Sequence, residues 1–293
     1  MIITLYRKYI SKSVRDKIYV AFLGKFLRIV RSNILFFKSK YIYIFYKFLS
    51  KTETNQLYAF IGKNGYIHIP YSFALDCKQI PVQVVWDKQQ EMYYVVHEEK
   101  KLYFPSLNKD SIIKNYRILL MEQFEKSPHR YVEDINRLKG KTLLDVGAAE
   151  GIFTLNAIEI IEHAYLFECE DQWIRSLKAT FAPWEDKVTI ISKFVSDISD
   201  EKNITISLFL EGKSKTNLFI KMDVEGNESA VLKGAEKIFQ DVIDIDFAIC
   251  TYHKKEDANE FHQFCKKYSI ETEFSEGLLY CENDLRKAII RRK

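Results

Sequence analysis

From Gly140 onward the sequence alternates between short apolar runs and amphipathic stretches, and this alternation constrains the fold more than any other feature. "KTLLDVG", "AYLFECE", "KVTIISKFV", "NLFIKMDVE" and "IDFAICTYH" read as strands, while "IFTLNAIEII", "DQWIRSLKATF" and "SAVLKGAEKIF" between them read as helices. Strands joined through helices run parallel, and the helices cover both faces of the sheet. The expected fold class is α/β, a Rossmann-like doubly wound, mostly parallel sheet with an N-terminal helical and β-hairpin extension. Ligands of such sheets bind outside the carboxyl ends of the strands, and each polar cluster of interest here follows a strand.

The preceding residues divide by composition. Residues 1–50 carry eleven Lys/Arg against Asp16 alone, a balance of +10, so the rest of the chain sums to −6 within the net +4. Lys25, Arg28 and Arg31 recur every three residues, and Lys38 lies one heptad beyond Arg31. That spacing predicts a basic, aromatic amphipathic helix within residues 1–56. It either adsorbs to an anionic membrane surface or packs on the body of the protein. Residues 57–110 read as a small β-rich region with hairpins at "KNG" and "DKQQ", and residues 111–293 as the α/β domain, opening with a helical stretch interrupted by Pro128.

Five cysteines at scattered spacings form no zinc pattern and fit a reduced, cytoplasmic compartment. The basic residues break every apolar run short of the roughly 20 residues of a membrane span, so any membrane contact is expected to be peripheral, at the inner surface. No nucleic-acid-binding motif accompanies the charge, and no nucleic acid is expected as partner.

The first turn, "LLDVGAAEGIF", places Asp145 at a strand end, followed by Gly147, Glu150 and Gly151. The spacing lacks the G-x-G-x-x-G of dinucleotide folds, which argues against a nicotinamide-dependent oxidoreductase. Acids beside a helix N-terminus repel a pyrophosphate. They suit S-adenosyl-L-methionine (SAM), which carries a sulfonium and an ammonium. Glu168, seventeen residues after Gly151, ends the second strand at the spacing where an acid meets a ribose diol; Glu170 and Asp171 are neighbouring alternatives. Ser196 and Asp197 follow the third strand, either touching adenine or forming a plain turn.

These three turns together resemble class I SAM-dependent methyltransferases. "FIKMDVEGNESAVLKGAEKIF" is similar to the hallmark segment of the FkbM-type methyltransferase family, a strand ending in Asp-x-Glu-Gly before a helix with Leu-x-Gly. "EQFEKSPHRY", "AICTYHKKEDANEF" and "FSEGLLY" resemble the branch found with bacterial glycan synthesis. Family members often carry Thr-Leu-Asp-Asp before the hallmark strand, where this chain has "TISLFL", residues 205–210.

The resemblance implies SAM-dependent O-methyl transfer to a hydroxyl, of a sugar in a surface glycan or its precursor. A non-catalytic SAM-binding or membrane-docked scaffold and a natural-product methyltransferase are the alternatives. Asp223 is expected near the methionine end of the cofactor or at the acceptor hydroxyl, and Glu225 at the backbone amides of the turn. His253 is the candidate base. Tyr252 and His129 either contact substrate or pack. Two acids without a further ligand set specify no metal.

Overall fold

The structure is a computed structural model; it describes residues 37–241, 245–282 and 284–293. Most of the predicted basic helix, including Lys25, Arg28 and Arg31, lies outside those residues. The chain divides into two compact units. One comprises the described residues up to Tyr71 with Tyr280–Leu285; the other comprises Ser72–Leu279 with Arg286–Lys293.

In the first unit residues 37–45 are helical, and Glu53–Asn64 forms a second helix. Thr52 caps it by accepting from Asn55 N at 3.3 Å. The two helices approach closely at Gly62, where a Cβ would lie 2.1 Å from the Ser39 carbonyl oxygen. The hairpin expected around Lys63-Asn64-Gly65 is therefore corrected. Leu57, Tyr58 and Ile61 are buried at helical spacing, and Gly65, at φ 84°, terminates the helix.

The second unit begins with the short helix Ser72–Cys77 and an antiparallel meander of β1 (Val84–Asp87), β2 (Met92–His97) and β3 (Lys100–Phe104). The hairpin expected at "DKQQ" is the β1–β2 connection. The helix Lys109–Gln123 follows, capped by Asn108, which accepts from Ser111 N at 3.1 Å.

The α/β body contains β4 (Thr142–Val146), β5 (His163–Phe167), β6 (Val188–Ile191), a two-residue pair β7 (Phe194–Val195) and β8 (Asn203–Ile204), β9 (Leu218–Met222), β10 (Asp246–Cys250) and β11 (Thr272–Phe274). Another short pair, β12 (Leu279–Cys281) and β13 (Asp284–Arg286), precedes β14 (Ile289–Arg292). Seven of these strands form one sheet in the order β11-β14-β10-β9-β4-β5-β6. The five from β10 to β6 are parallel, and β14 enters antiparallel to both β10 and β11. The expected doubly wound, mostly parallel sheet is what forms.

Parallel strands covered on both faces must be apolar nearly throughout. Every residue of β9 is buried, and so is β4 beyond Thr142. Strand order reverses between β4 and β9: the chain runs from β4 outward to β5 and β6, then returns to β9 and continues to β10. The carboxyl ends of β4 and β9 are thus the switch point at which such sheets bind ligands.

Candidate active site

At the switch point β4 ends in Val146 and β9 in Met222, which are register partners. Asp145 and Lys221, one position earlier, also face each other across the strands. Their side chains form a buried ion pair, Asp145 Oδ1 to Lys221 Nζ at 2.9 Å. Thr154 donates to the other Asp145 oxygen at 2.7 Å, and Lys221 donates to the Gly147 carbonyl at 2.5 Å. A lysine inside the apolar run "LFIKM" requires such a partner, because an unpaired charge buried there is prohibitively costly.

The turn after β4 packs directly on the turn after β9. Gly147 has φ 79°, and a Cβ there would lie 1.9 Å from the Asp223 carbonyl oxygen. Gly151, at φ 77°, begins the helix Ile152–Ala157 against Leu177 and Phe181. Between them Ala149, at φ 45°, donates its amide to Glu168 Oε2 at 3.1 Å. The other Glu168 oxygen accepts from Cys169 N at 2.7 Å and Glu170 N at 2.9 Å. Glu168 is therefore held rigidly at the tip of β5.

A cavity of about 620 Å³ opens above these turns. Its apolar wall includes Phe167, Trp173, Phe194 and Val195. Its charged lining consists of seven carboxylates, Glu122, Asp145, Glu150, Glu168, Glu170, Asp223 and Glu225, against Lys193 and Lys221. With Lys221 committed to Asp145, the remaining field is negative. Burial raises the Glu150 carboxyl above its ordinary value. Burial, reinforced by the nearby charges of Asp223 and Glu150, pushes Glu122 up to about 8.

On the far side Asp223 collects polar groups from two other segments. Tyr131 donates to Asp223 Oδ2 at 2.7 Å, and His129 Nε2 lies 3.8 Å from the same oxygen. His253 Nε2 stands 3.6 Å from Asp223 Oδ1 and 3.6 Å from Glu225 Oε2. His253 Nδ1 is 2.8 Å from Glu228 Oε1, and that oxygen also accepts from Val224 N and Gly226 N. Arg286 donates to the Tyr252 and His253 carbonyls at 2.6 and 2.9 Å, which pins the backbone beneath the imidazole. Burial opposes charge on Asp223, but Lys221, His129 and His253 outweigh it and hold the carboxyl below its usual range. Burial likewise opposes charge on His253, yet the hydrogen bond to Glu228 and the charges of Glu228, Asp223 and Glu225 raise its pKa. A raised pKa disfavours the neutral imidazole that a base must offer.

Residues 145–274 match the sequence model of the methyltransferase FkbM domain. They form an FkbM methyltransferase domain. The chain is also similar to the solved structure of methyltransferase FkbM from Methylobacillus flagellatus KT, at 17% identity and TM-score 0.42. That match covers 64% of this chain and 56% of that one, just over half its length. An rRNA methylase from Streptococcus thermophilus (12% identity, TM-score 0.38, 54% and 90% covered) is another similar structure, as is SMU.1697c from Streptococcus mutans in complex with SAH (12%, 0.39, 54% and 95%). No curated protein matches the sequence.

The cavity gathers most of the residues singled out in the sequence: Asp145, Gly147, Glu150, Glu168, Asp223 and Glu225 from the FkbM domain, with Tyr252 and, from before it, His129. Gly151 shapes the turn and is not among the lining residues, and His253 reaches the site through Asp223 and Glu225. Ser196 and Asp197 are also not among them. The Ser196 carbonyl lies where a Cβ on Gly234 would be 2.0 Å away, and Asp197 pairs with Lys233 at 2.7 Å. The glycine of the Leu-x-Gly motif thus seats its helix on the β7 turn.

The structure assigns the turn differently from the expectation for Glu225. Strand β9 ends at Met222, so the alternation of faces stops before Asp223. Glu225, at φ 53°, has a side chain 92% exposed, and the carboxylate that bonds the turn amides is Glu228. Sequence reasoning also missed Tyr131, Lys221 and Glu122. Only Lys221 carried a signal, as a charge within an apolar strand. Tyr131 lies in a loop and Glu122 near the end of the helix Lys109–Gln123, and nothing local to either position announces a site built by other elements.

Proposed function

We propose that this FkbM domain is a SAM-dependent O-methyltransferase whose acceptor is a sugar hydroxyl of a surface glycan or its precursor. The observation that carries the reading is the acid-lined cavity at the switch point, with Glu168 fixed at the tip of the second strand and the Asp223 cluster opposite. SAM brings a sulfonium and an ammonium, which the carboxylates attract; Glu168 stands where a ribose diol is bound in such sheets, and Trp173 and Phe194 offer an apolar wall to adenine. In the reaction the acceptor oxygen attacks the methyl carbon in line, the carbon–sulfur bond breaks, and its electrons neutralise the sulfonium. Such a transfer gains most from alignment. Asp223, Glu225 and His253 are the catalytic group: they seat the hydroxyl, and its proton passes to the carboxylates.

Calorimetric titration with SAM and with NAD tests the cofactor. Heat with SAM alone is expected, weakened in Glu168→Ala; a response to NAD in place of SAM overturns the reading. Transfer of radiolabelled methyl from SAM to sugar acceptors, lost in Asp223→Ala, tests the chemistry.

A peripheral membrane contact is the matching proposal for the first unit. Residues 37–48 expose Phe37, Tyr41, Ile44, Phe45 and Phe48, the last at 86%, interspersed with Lys38 and Lys47. Aromatic and basic side chains together suit an anionic lipid surface. Among the described residues no helix is long and apolar enough to cross a membrane. Sedimentation with anionic but not zwitterionic vesicles is expected, and Phe48→Ser reduces it.

A further inference from the structure

We infer that Asp223, Glu225 and His253 form a binding site for a divalent transition-metal cation on the acceptor side of the cavity. One oxygen from each carboxylate and one ring nitrogen lie within 4.8 Å of one another. His253 Nε2 is 3.6 Å from both Asp223 Oδ1 and Glu225 Oε2. That is too long for a hydrogen bond and close to the spacing of ligands around one ion. Two atoms each about 2.1 Å from a metal stand about 3.0 Å apart at a right angle and about 3.4 Å apart at the tetrahedral angle.

Three further features distinguish this group from an ordinary acidic surface. The His253 side chain is 90% buried, and its Nε2 and Asp223 Oδ1 are enclosed atoms without a hydrogen-bond partner, 3.6 Å apart. Buried polar atoms rarely stay unsatisfied. The other ring nitrogen, Nδ1, is engaged by the buried Glu228, which fixes the imidazole and directs Nε2 outward, as the outer carboxylate of a metal-bound histidine does. Lys221, whose charge would repel a cation, is neutralised by Asp145 at 2.9 Å. The mixed nitrogen and oxygen donors favour a transition metal over magnesium or calcium.

Asp223 and Glu225 line the cavity and Glu225 is exposed, so an ion held by them would be within reach of an acceptor oxygen. This role depends on the methyl-transfer reading above; cation binding itself does not. With the ion in place His253 is a ligand, which agrees with the carboxylates crowded around it.

The test uses the full chain, stripped with a chelator and titrated with MnCl2, with free Mn²⁺ followed by electron paramagnetic resonance. One equivalent is expected to bind. Glu225→Gln should weaken binding at least tenfold, His253→Ala should abolish it, and Glu228→Gln, which removes only the orienting charge, should weaken it about 10–100-fold. Because Glu225 is exposed, Glu225→Gln is expected to keep an unchanged thermal melt, which separates loss of a ligand from loss of the fold. No binding by the wild type, or binding as tight as the wild type's by Glu225→Gln or His253→Ala, overturns the inference. SAM titration of the same preparation separates the two proposals. Mn²⁺ binding without a SAM response removes the methyl-transfer reading and leaves the cation site standing; a SAM response without Mn²⁺ binding does the reverse.

Discussion

The turns after β4 and after β9 begin from adjacent strand ends and meet at the Gly147–Asp223 contact, yet they are built on different terms. The β4 turn is closed by neighbours: Gly147 by the Asp223 carbonyl, Gly151 by Leu177 and Phe181, and Ala149 by a carboxylate from β5. The β9 turn is closed from within, by the Glu228 side chain four residues on from Val224. The first has no freedom to move without its surroundings. The second holds its backbone locally and leaves Asp223 and Glu225 to face the cavity. One edge of the cavity is thus fixed by its neighbours and the other by its own turn.

Substitutions break the comparison in graded steps. Gly147→Ala introduces a Cβ into the Asp223 carbonyl at a positive φ and is expected to cost roughly 4 kcal/mol or more, read as loss of the cooperative urea transition. Asp145→Asn strands Lys221 as a buried unpaired charge, at about 3–5 kcal/mol by the same measurement. Glu228→Ala removes the bonds to Val224 N, Gly226 N and His253, and about 1–3 kcal/mol is expected. Glu168→Ala is expected to weaken SAM binding about tenfold, or ~1.4 kcal/mol, in calorimetry. Glu225→Gln should change stability by less than about 0.5 kcal/mol, since the side chain is exposed. If Glu225→Gln destabilised as much as Glu228→Ala, the local closure of the β9 turn would be wrong.

This contrast also separates what the sequence reveals from what it hides. Patterns internal to an element were legible: the strand–helix alternation, the glycines after β4, and the acids at the ends of β5 and β9. What depends on partners across the sheet was not. Asp145 reads as a free acid until Lys221 arrives from a strand 76 residues away. Ser196 and Asp197 read equally as adenine contacts or as a plain turn until Gly234 and Lys233 engage them. Glu225 and Glu228 are three residues apart, and a strand-like reading gave the turn to the wrong one. The Asn64-Gly65 pair has two local meanings, hairpin or helix end, and the burial of Leu57 and Ile61 on one face decides between them.

The antiparallel strand β14 lies between β10 and β11, although β11 comes earlier in the chain. As the polypeptide leaves a ribosome, β11 emerges with no sheet neighbour to receive it and stays undocked until β14 has followed and paired with β10. The outer edge of the sheet therefore closes in the reverse of the order in which it is made, and non-local pairing of this kind is slow. During that interval the freshly made domain presents β10 as an unpaired hydrophobic edge, a stage at which a chaperone would find its target.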